Sequence, residues 1–445
     1  MSAKMEAEIP TVASRFVASF LPLRNRNLRV YLSGQVISLI GTWMQVTAQA
    51  WVVWSLTHST TALGLVAMLG TLPILLLGPW TGVWADTLDR RRVLVATQMG
   101  AMVLAATLAV LVQTGAIQVW HVYIFATLLG IVTALDMPAQ QAFIGDLSGM
   151  EQVRQAVVIN NMLFQVSRML GPALAGLVVA QLGAAPAFWL NGVSFLAVIG
   201  SLLVVRADQV RRSGAAGLGG FSEALQFIRD HKLSQDLVIS TIIVTFFGIS
   251  VMNILPAVAG QALRGNADVL GLLMGASGAG ALAGGLFVVP LTQQIRRTGL
   301  VVGGAVIWTG LWLAVFSYAT WVPFSALAMF IGSLAFPVVL TTANSTLQIL
   351  APPDMRARLL SALLMVSFGA QPLASLLVGY SAQVLGALEA VRANGLLMAS
   401  GAAALLALRP TLRRWEAAEN RDEAFTASSR PDGDHRTVET RPEAA

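Results

Sequence analysis

Gly82-Val83-Trp84-Ala85-Asp86-Thr87-Leu88-Asp89-Arg90-Arg91-Arg92 crowds five charges into eleven residues, and on either side the chain turns apolar for tens of residues. Residues 30 to 85 contain no Asp, Glu, Lys or Arg, and 93 to about 142 contain only Asp136. A bilayer core takes about 20 apolar residues per helix, so each run holds two spans and the charged stretch is the turn between them. The same conversion gives two spans in 155 to 205, whose only charge is Arg168, and two in 298 to 353. Runs 237 to 263, 269 to 295, 359 to 388 and 393 to 408 hold one each. The expectation is an all-α integral membrane protein with twelve transmembrane helices.

Composition excludes the soluble alternatives. Of 445 residues 56% are hydrophobic and 11% charged, and the mean hydropathy is +0.71; a soluble chain of this size needs a more polar surface. The net charge of +6 is dispersed between apolar blocks and builds no basic stripe, so no nucleic-acid partner is expected. With no cysteine there is no disulfide or thiolate metal site, and His58, His121, His231 and His435 have no metal-ligand spacing. No metal or cofactor is implied.

Within the double runs the breaks fall at Thr57-His58-Ser59-Thr60, Gln113-Thr114-Gly115, Leu182-Gly183-Ala184-Ala185-Pro186 and Tyr318-Ala319-Thr320, none of which carries Lys or Arg. Of the 28 basic residues, Arg264 and Arg392 fall in the other two loops on that face, Arg168 lies in a span, and the remaining 25 lie in the tails and opposite loops. The positive-inside rule therefore places both termini in the cytoplasm. The predicted organisation is a cytoplasmic segment 1–29 without a cleavable signal, a six-helix half 30–206, a cytoplasmic linker 207–236 with an amphipathic piece (Phe221 to Lys232), a second six-helix half 237–409, and a disordered cytoplasmic tail 410–445.

The halves share a register. Met137-Pro138-Ala139 answers Phe336-Pro337-Val338, and Gly171-Pro172-Ala173 answers Gln371-Pro372-Leu373, at offsets of 199 and 200 residues. Six spans, a polar linker and six more is the pattern of parallel-repeat transporters, with the substrate site between the halves.

The turn quoted at the outset resembles the G-x-x-x-D-R-x-G-R-R signature of the major facilitator superfamily: Gly82, Asp86, Arg90 and Arg91 match, while Thr87 and Asp89 replace an Arg and a Gly. Arg24-Asn25-Arg26-Asn27, Ser33-Gly34-Gln35, Gly41-Thr42-Trp43-Met44-Gln45, the run Asp136 to Phe143, and Arg168-Met169-Leu170-Gly171-Pro172 are similar to the enterobactin-exporter branch of the drug:proton antiporters. The resemblance covers about residues 24 to 408 and implies the major facilitator fold, a small-molecule substrate, protons as coupling ion, and a monomer in the inner membrane of a bacterium. The fourth span, Ala126 to Ile131, lacks the basic residue of other drug:proton antiporters, and Gly285 to Val289, after the eighth span, lacks the acidic one.

Gln35, Ser38, Thr42, Gln45 and Gln49, spaced 3, 4, 3 and 4, share one face of the first span. Such a face must look at protein or water, and the expectation is a cavity wall, the alternative being polar interhelical packing. Asn161, Gln165, Arg168 and Pro172 form a second stripe on the fifth span, with Arg168 about 20 Å along the helix from Gln155, near the midplane. A guanidinium there marks a pathway or a buried pair. It can hold an anionic substrate group, or pair structurally with carbonyls or Asp136. Asn253, Asn344 and Gln348 complete the cavity from the second half.

Asp136 has two open roles: an anion tethering Arg90 or Arg91, which the resemblance assigns to a cytoplasmic gate with Gly82 and Asp86, or a protonatable carboxylate. Asp86 lies opposite the start of the eleventh span, Pro352 to Arg356. Gly171, Pro172 and Gly176 are expected at a close helix contact, as are Gly271, Gly275, Gly280 and Gly284.

No Walker A motif exists, since Lys4 and Lys232 are the only lysines and neither follows Gly. Neither a Ser/His pair nor clustered acids lie at membrane depth, which argues against a membrane enzyme, and no filter-like segment argues for a channel. The reading is a secondary transporter exporting a small amphipathic, siderophore-like or drug-like compound, with an importer or uniporter of another solute as the alternative.

Overall fold

The computed structural model describes residues 21–205, 218–295, 297–352 and 355–414. The predicted tail past 414, residues 1–20 of the N-terminal segment, residues 206–217 of the linker and the Pro353-Asp354 pair lie outside the described residues.

Helices begin where a short polar side chain satisfies their free amides. Asn25 accepts from the amides of Asn27 and Leu28 to start α1, Arg26–Thr57. Ser59 accepts from Ala62 to start α2, Thr60–Thr87, and Asp89 accepts from Arg92 to start α3, Arg90–Gln113. α4 (Val119–Gly149) and α5 (Gln155–Leu182) are parted by Gly149 at φ 71°. α6 (Ala184–Val204) closes the first half, and α7 (Leu218–Asp230) is the amphipathic linker helix.

The second half comprises α8 (Lys232–Ala262), α9 (Ala267–Thr292), α10 (Thr298–Phe316), α11 (Val322–Leu350), α12 (Arg356–Leu385) and α13 (Ala387–Leu408), followed by the short α14 (Pro410–Arg414). Eleven of these helices are long and apolar enough to cross a membrane among the described residues; α12 is a further long helix, 30 residues. The turns at Gly183 and Gly386 lie at matching places in the two halves, after α5 and after α12, with φ of 82° and 93°.

Several boundaries differ from the sequence expectation: α4 runs on to Gly149, and Pro410–Arg414, expected in a disordered tail, are helical with Leu412 fully buried. α8 starts at Lys232, because Asp236, fully buried, is folded into the helix and ion-paired with Arg409 at 3.7 Å. α13 starts at Ala387, so Arg392 is helical and not in a loop. Gly386 makes the turn, and Arg392 donates to Glu389 (2.9 Å) and Ser317 (3.2 Å) while lying 4.0 Å over the Tyr318 ring.

The halves meet at two crossings of the same design. A Cβ on Gly64 of α2 would stand 2.4 Å from the Ser375 carbonyl oxygen of α12, and one on Gly379 would stand 2.5 Å from that of Thr60. On the other side, a Cβ on Gly176 of α5 would be 2.8 Å from the Ala267 oxygen of α9, and one on Gly271 would be 2.5 Å from that of Pro172. Each glycine thus faces the carbonyl four residues before its partner, and any side chain would force the backbones apart.

Both crossings lie toward the end of the bundle that carries the short uncharged turns, hereafter the turn end. There Gln383 of α12 caps α2 from the opposite half: its Oε1 accepts from the Thr60 amide (3.0 Å), Ser59 Oγ (3.0 Å) and Thr60 Oγ1 (3.3 Å). Thr60 Oγ1 also donates to the Gly379 carbonyl at 2.8 Å. Gln383→Leu keeps the bulk and removes the acceptor. Loss of a cap of this kind costs about 1 kcal/mol, so the population separated at the turn end should rise about fivefold. Electron spin distance measurements between labels on cysteines introduced at Thr114 and Thr320, in a chain with no native cysteine, read this directly; an unchanged distribution would show that the cap does not hold the halves.

Candidate functional site

The polar face of the first span is largely a seam within the first half. Gly34 and Gly41 let α6 approach: a Cβ on Gly34 would lie 2.7 Å from the Ala197 carbonyl oxygen, and one on Gly41 2.4 Å from Ser194 Oγ. Beside them Gln45, 2% exposed, accepts 2.7 Å from Asn191 Nδ2, and Gln35 and Ser38 are buried as well. The cavity-wall expectation is corrected for these three. Glycines at 34 and 41 turn that side of α1 into a helix contact, and the amide of Gln45 serves as interhelical glue. Thr42 and Gln49 are partly exposed.

The side of α1 that looks toward the second half carries Trp43 and Thr47. Thr47 Oγ1 lies 3.7 Å from Met274 Sδ of α9, and Trp43 meets Phe164 of α5 edge to face at 5.6 Å between ring centroids. Gly171 allows this, since a Cβ there would sit 2.4 Å from that of Trp43.

Arg168 stands where the halves face each other. The backbone of α5 is pressed against α9 at its level: a Cβ on Gly278 would be 2.9 Å from the Arg168 carbonyl oxygen. The guanidinium carbon lies 6.0 Å from the Trp43 ring centroid of one half and 5.6 Å from that of Phe336 in the other. Among the described residues it donates to no oxygen and pairs with no carboxylate. The structural pair with Asp136 is absent.

Asn161 is exposed and Gln165 half-buried on the same helix. Asn253, half-buried, donates 2.9 Å to Ser375 Oγ within the second half. Asn344 and Gln348 bond each other at 2.5 Å one turn apart on α11.

At the opposite, charged end, the partner of Arg90 is a residue the sequence reading passed over. Arg90 Nη1 lies 2.7 Å from both oxygens of Asp146, and both side chains are nearly inaccessible. Arg91 donates to the Leu203 carbonyl at the end of α6 (2.6 Å). Asp136 touches neither arginine, which corrects the gate tether. It accepts from Thr97 Oγ1 (2.5 Å) and Gln98 Nε2 (2.9 Å), two turns along α3 from Arg90. Of the expected gate, the Asp86 side chain and the surroundings of Gly82 lie outside what is described. Asp146 was legible in principle: α4 runs unbroken to Gly149, so 136, 139, 143 and 146 recur on one face, and Ala139 and Phe143 on it are fully buried.

Residues 17–431 match the family model described as transmembrane secretion effector. The chain belongs to this family of major facilitator transporters. It is therefore a multi-pass membrane transporter and not an enzyme. It is 26% identical over 276 residues to the staphyloferrin A transporter of Staphylococcus aureus, covering 61% of this chain and 68% of that one. It is 25% identical to the multidrug efflux pump Tap of Mycolicibacterium fortuitum, covering 78% and 87%. In fold it is similar to a bacterial homologue of the lysosomal transporter Spinster, with a TM-score of 0.71 at 13% identity over 89% of this chain and 99% of that one.

In this transporter Asp146→Ala leaves Arg90 buried beside a lost partner. Removing one member of a buried pair costs about 3–5 kcal/mol, so the single variant should unfold at clearly lower temperature in detergent. The double variant Arg90→Met/Asp146→Leu should regain most of the loss. A double variant as unstable as the single would show that the pair is not the source.

Proposed function

We propose that this transporter exports an amphipathic anion across the cytoplasmic (inner) membrane of a bacterium, by alternating access of two six-span halves with both termini in the cytoplasm. The observation that carries the reading is Arg168: a permanent charge at the meeting of the halves, flanked by one aromatic ring from each. A guanidinium at the centre of a span costs about 2.5–3.5 kcal/mol. Two cation–π contacts near the 6 Å limit offset part of this, but among the described residues the guanidinium has no oxygen to donate to until an anion arrives. The similarity to a multidrug efflux pump supports export, and that to a staphyloferrin A transporter supports a small-molecule substrate.

The turn end, sealed by the two glycine crossings and Gln383, is the outer end in this orientation, so the described arrangement is closed to the outside. Asp136 is the coupling candidate. It accepts hydrogen bonds from neutral donors and pairs with no cation among the described residues, so binding a proton there breaks no ion pair among them. Arg90 and Asp146 brace the charged end within one half, and the remaining gate function falls to Gly82, Asp86 and Arg91.

Arg168→Lys keeps the charge but loses the planar fork that grips an oxyanion through two parallel bonds. It should weaken binding of a carboxylate or catecholate substrate about tenfold by calorimetry while leaving expression unchanged, and Arg168→Ala should weaken it further. Equal affinity of the wild type and Arg168→Lys would leave Arg168 a structural residue.

Coupling is read separately. Substrate-induced proton release from solubilised protein should disappear in Asp136→Asn with substrate affinity retained. Release persisting in that variant would place the carrier elsewhere or name another ion.

A further inference from the structure

Behind Arg168 and Phe336 a narrow cavity leads away from the interface into the second half, between α8, α9, α10 and α11. Its cavity volume is ≈ 30 Å³. Met252, Ala281, Trp312, Leu313, Ala328 and Met329 are among its apolar wall residues within the second half. The hydroxyls on it are already engaged: Ser277 and Ser333 bond each other at 2.9 Å, and Thr309 donates to the Ala305 carbonyl at 3.0 Å. The wall keeps few neutral donors, one serine O–H and the Trp312 indole N–H, and Arg168 is the one charged side chain among the described lining residues.

The wall on the α8 side is irregular helix. Residues Val244–Gly248 form a π turn and Ile249–Ile254 a tight 3-10 stretch, and Gly248, Ile249 and Met252 from this segment line the cavity. Such departures from α geometry cluster at functional positions in helices. Here they occur where the helix borders the cavity.

We infer that this cavity is a side bay for the apolar arm of the transported anion, with the oxyanion held at its mouth by Arg168 and the arm inserted toward Trp312. The inference rests on the anion reading above and sharpens it: the substrate class is an oxyanion carrying a flexible apolar chain, bound across both halves at once. An anion without an arm fills only the mouth. An apolar compound without an anion leaves Arg168 unanswered.

The test uses 4-n-alkylbenzoates of increasing chain length as probes, titrated calorimetrically into the full chain in lipid nanodiscs, with empty nanodiscs subtracted. In the wild type, affinity should rise about fourfold per methylene, the increment of burying one, until the bay is full. Ala281→Leu narrows the bay and should flatten this rise while benzoate itself binds as in wild type. Trp312→Ala deepens it and should extend the rise to longer chains, so one variant tests the inference if the other folds poorly. Arg168→Gln should weaken every member of the series by the same factor. A chain-length rise identical in wild type, Ala281→Leu and Trp312→Ala would overturn the bay and leave the anion site standing. An unchanged series in Arg168→Gln would overturn the anion reading itself.

Discussion

Two backbone-to-backbone crossings, α2 with α12 and α5 with α9, hold the halves together, and the rest of the molecule is arranged around how close they are. In lipid there is little hydrophobic gain in bringing two apolar helices together, so association depends on contact quality and on hydrogen bonds. Gly64 with Gly379 and Gly176 with Gly271 provide that contact, each glycine placed against the carbonyl one turn before its partner. The α5–α9 crossing continues through Gly275 and Gly278 to the level of Arg168. The contact that joins the halves thus also sets where Arg168 stands at their interface.

Polar groups in the spans divide by what they cost when idle. Gln45 with Asn191, Asn253 with Ser375, and Ser277 with Ser333 are matched pairs that join helices within a half. Arg90 with Asp146 and Arg409 with Asp236 do the same with charge, one pair in each half. Among the described residues Arg168 and Asp136 are left over: a cation with aromatic faces only, and a carboxylate with neutral donors only. Groups that the fold does not neutralise are the ones available to a ligand or a proton.

Span positions and most turns could be read from charge-free runs, because hydrocarbon thickness and helix rise together leave little freedom. What the sequence concealed was the azimuth of each helix. The spacing of Gln35, Ser38, Thr42, Gln45 and Gln49 correctly put them on one face, but a polar stripe reads the same whether it meets water or another helix. Gly34 and Gly41, on that same side, were the sign that a neighbour comes close. Asp146 was missed because a span was ended at the length of the apolar run, whereas α4 continues to Gly149. Arg392 bounds an apolar run and so reads as a loop residue, yet Gly386 makes the turn and Glu389 with Tyr318 holds the charge inside α13.

The halves repeat in topology yet differ in chemistry, and the difference follows from their helices. The first half keeps long spans, with a single non-helical residue, Gly149, between α4 and α5, and it holds Arg168 and Asp136 on them. The second half has π and 3-10 segments in α8 and α9 and a cavity bordered by one of them. Regular helices hold a charged group at a defined depth, since each residue advances 1.5 Å along a fixed axis. Irregular ones leave side chains out of register with their neighbours and so leave space. A ligand spanning both would be oriented by the first half and accommodated by the second, and rocking one half against the other would pull its two ends apart. Release would then follow from the motion that opens the opposite side, with no further gate at the ligand.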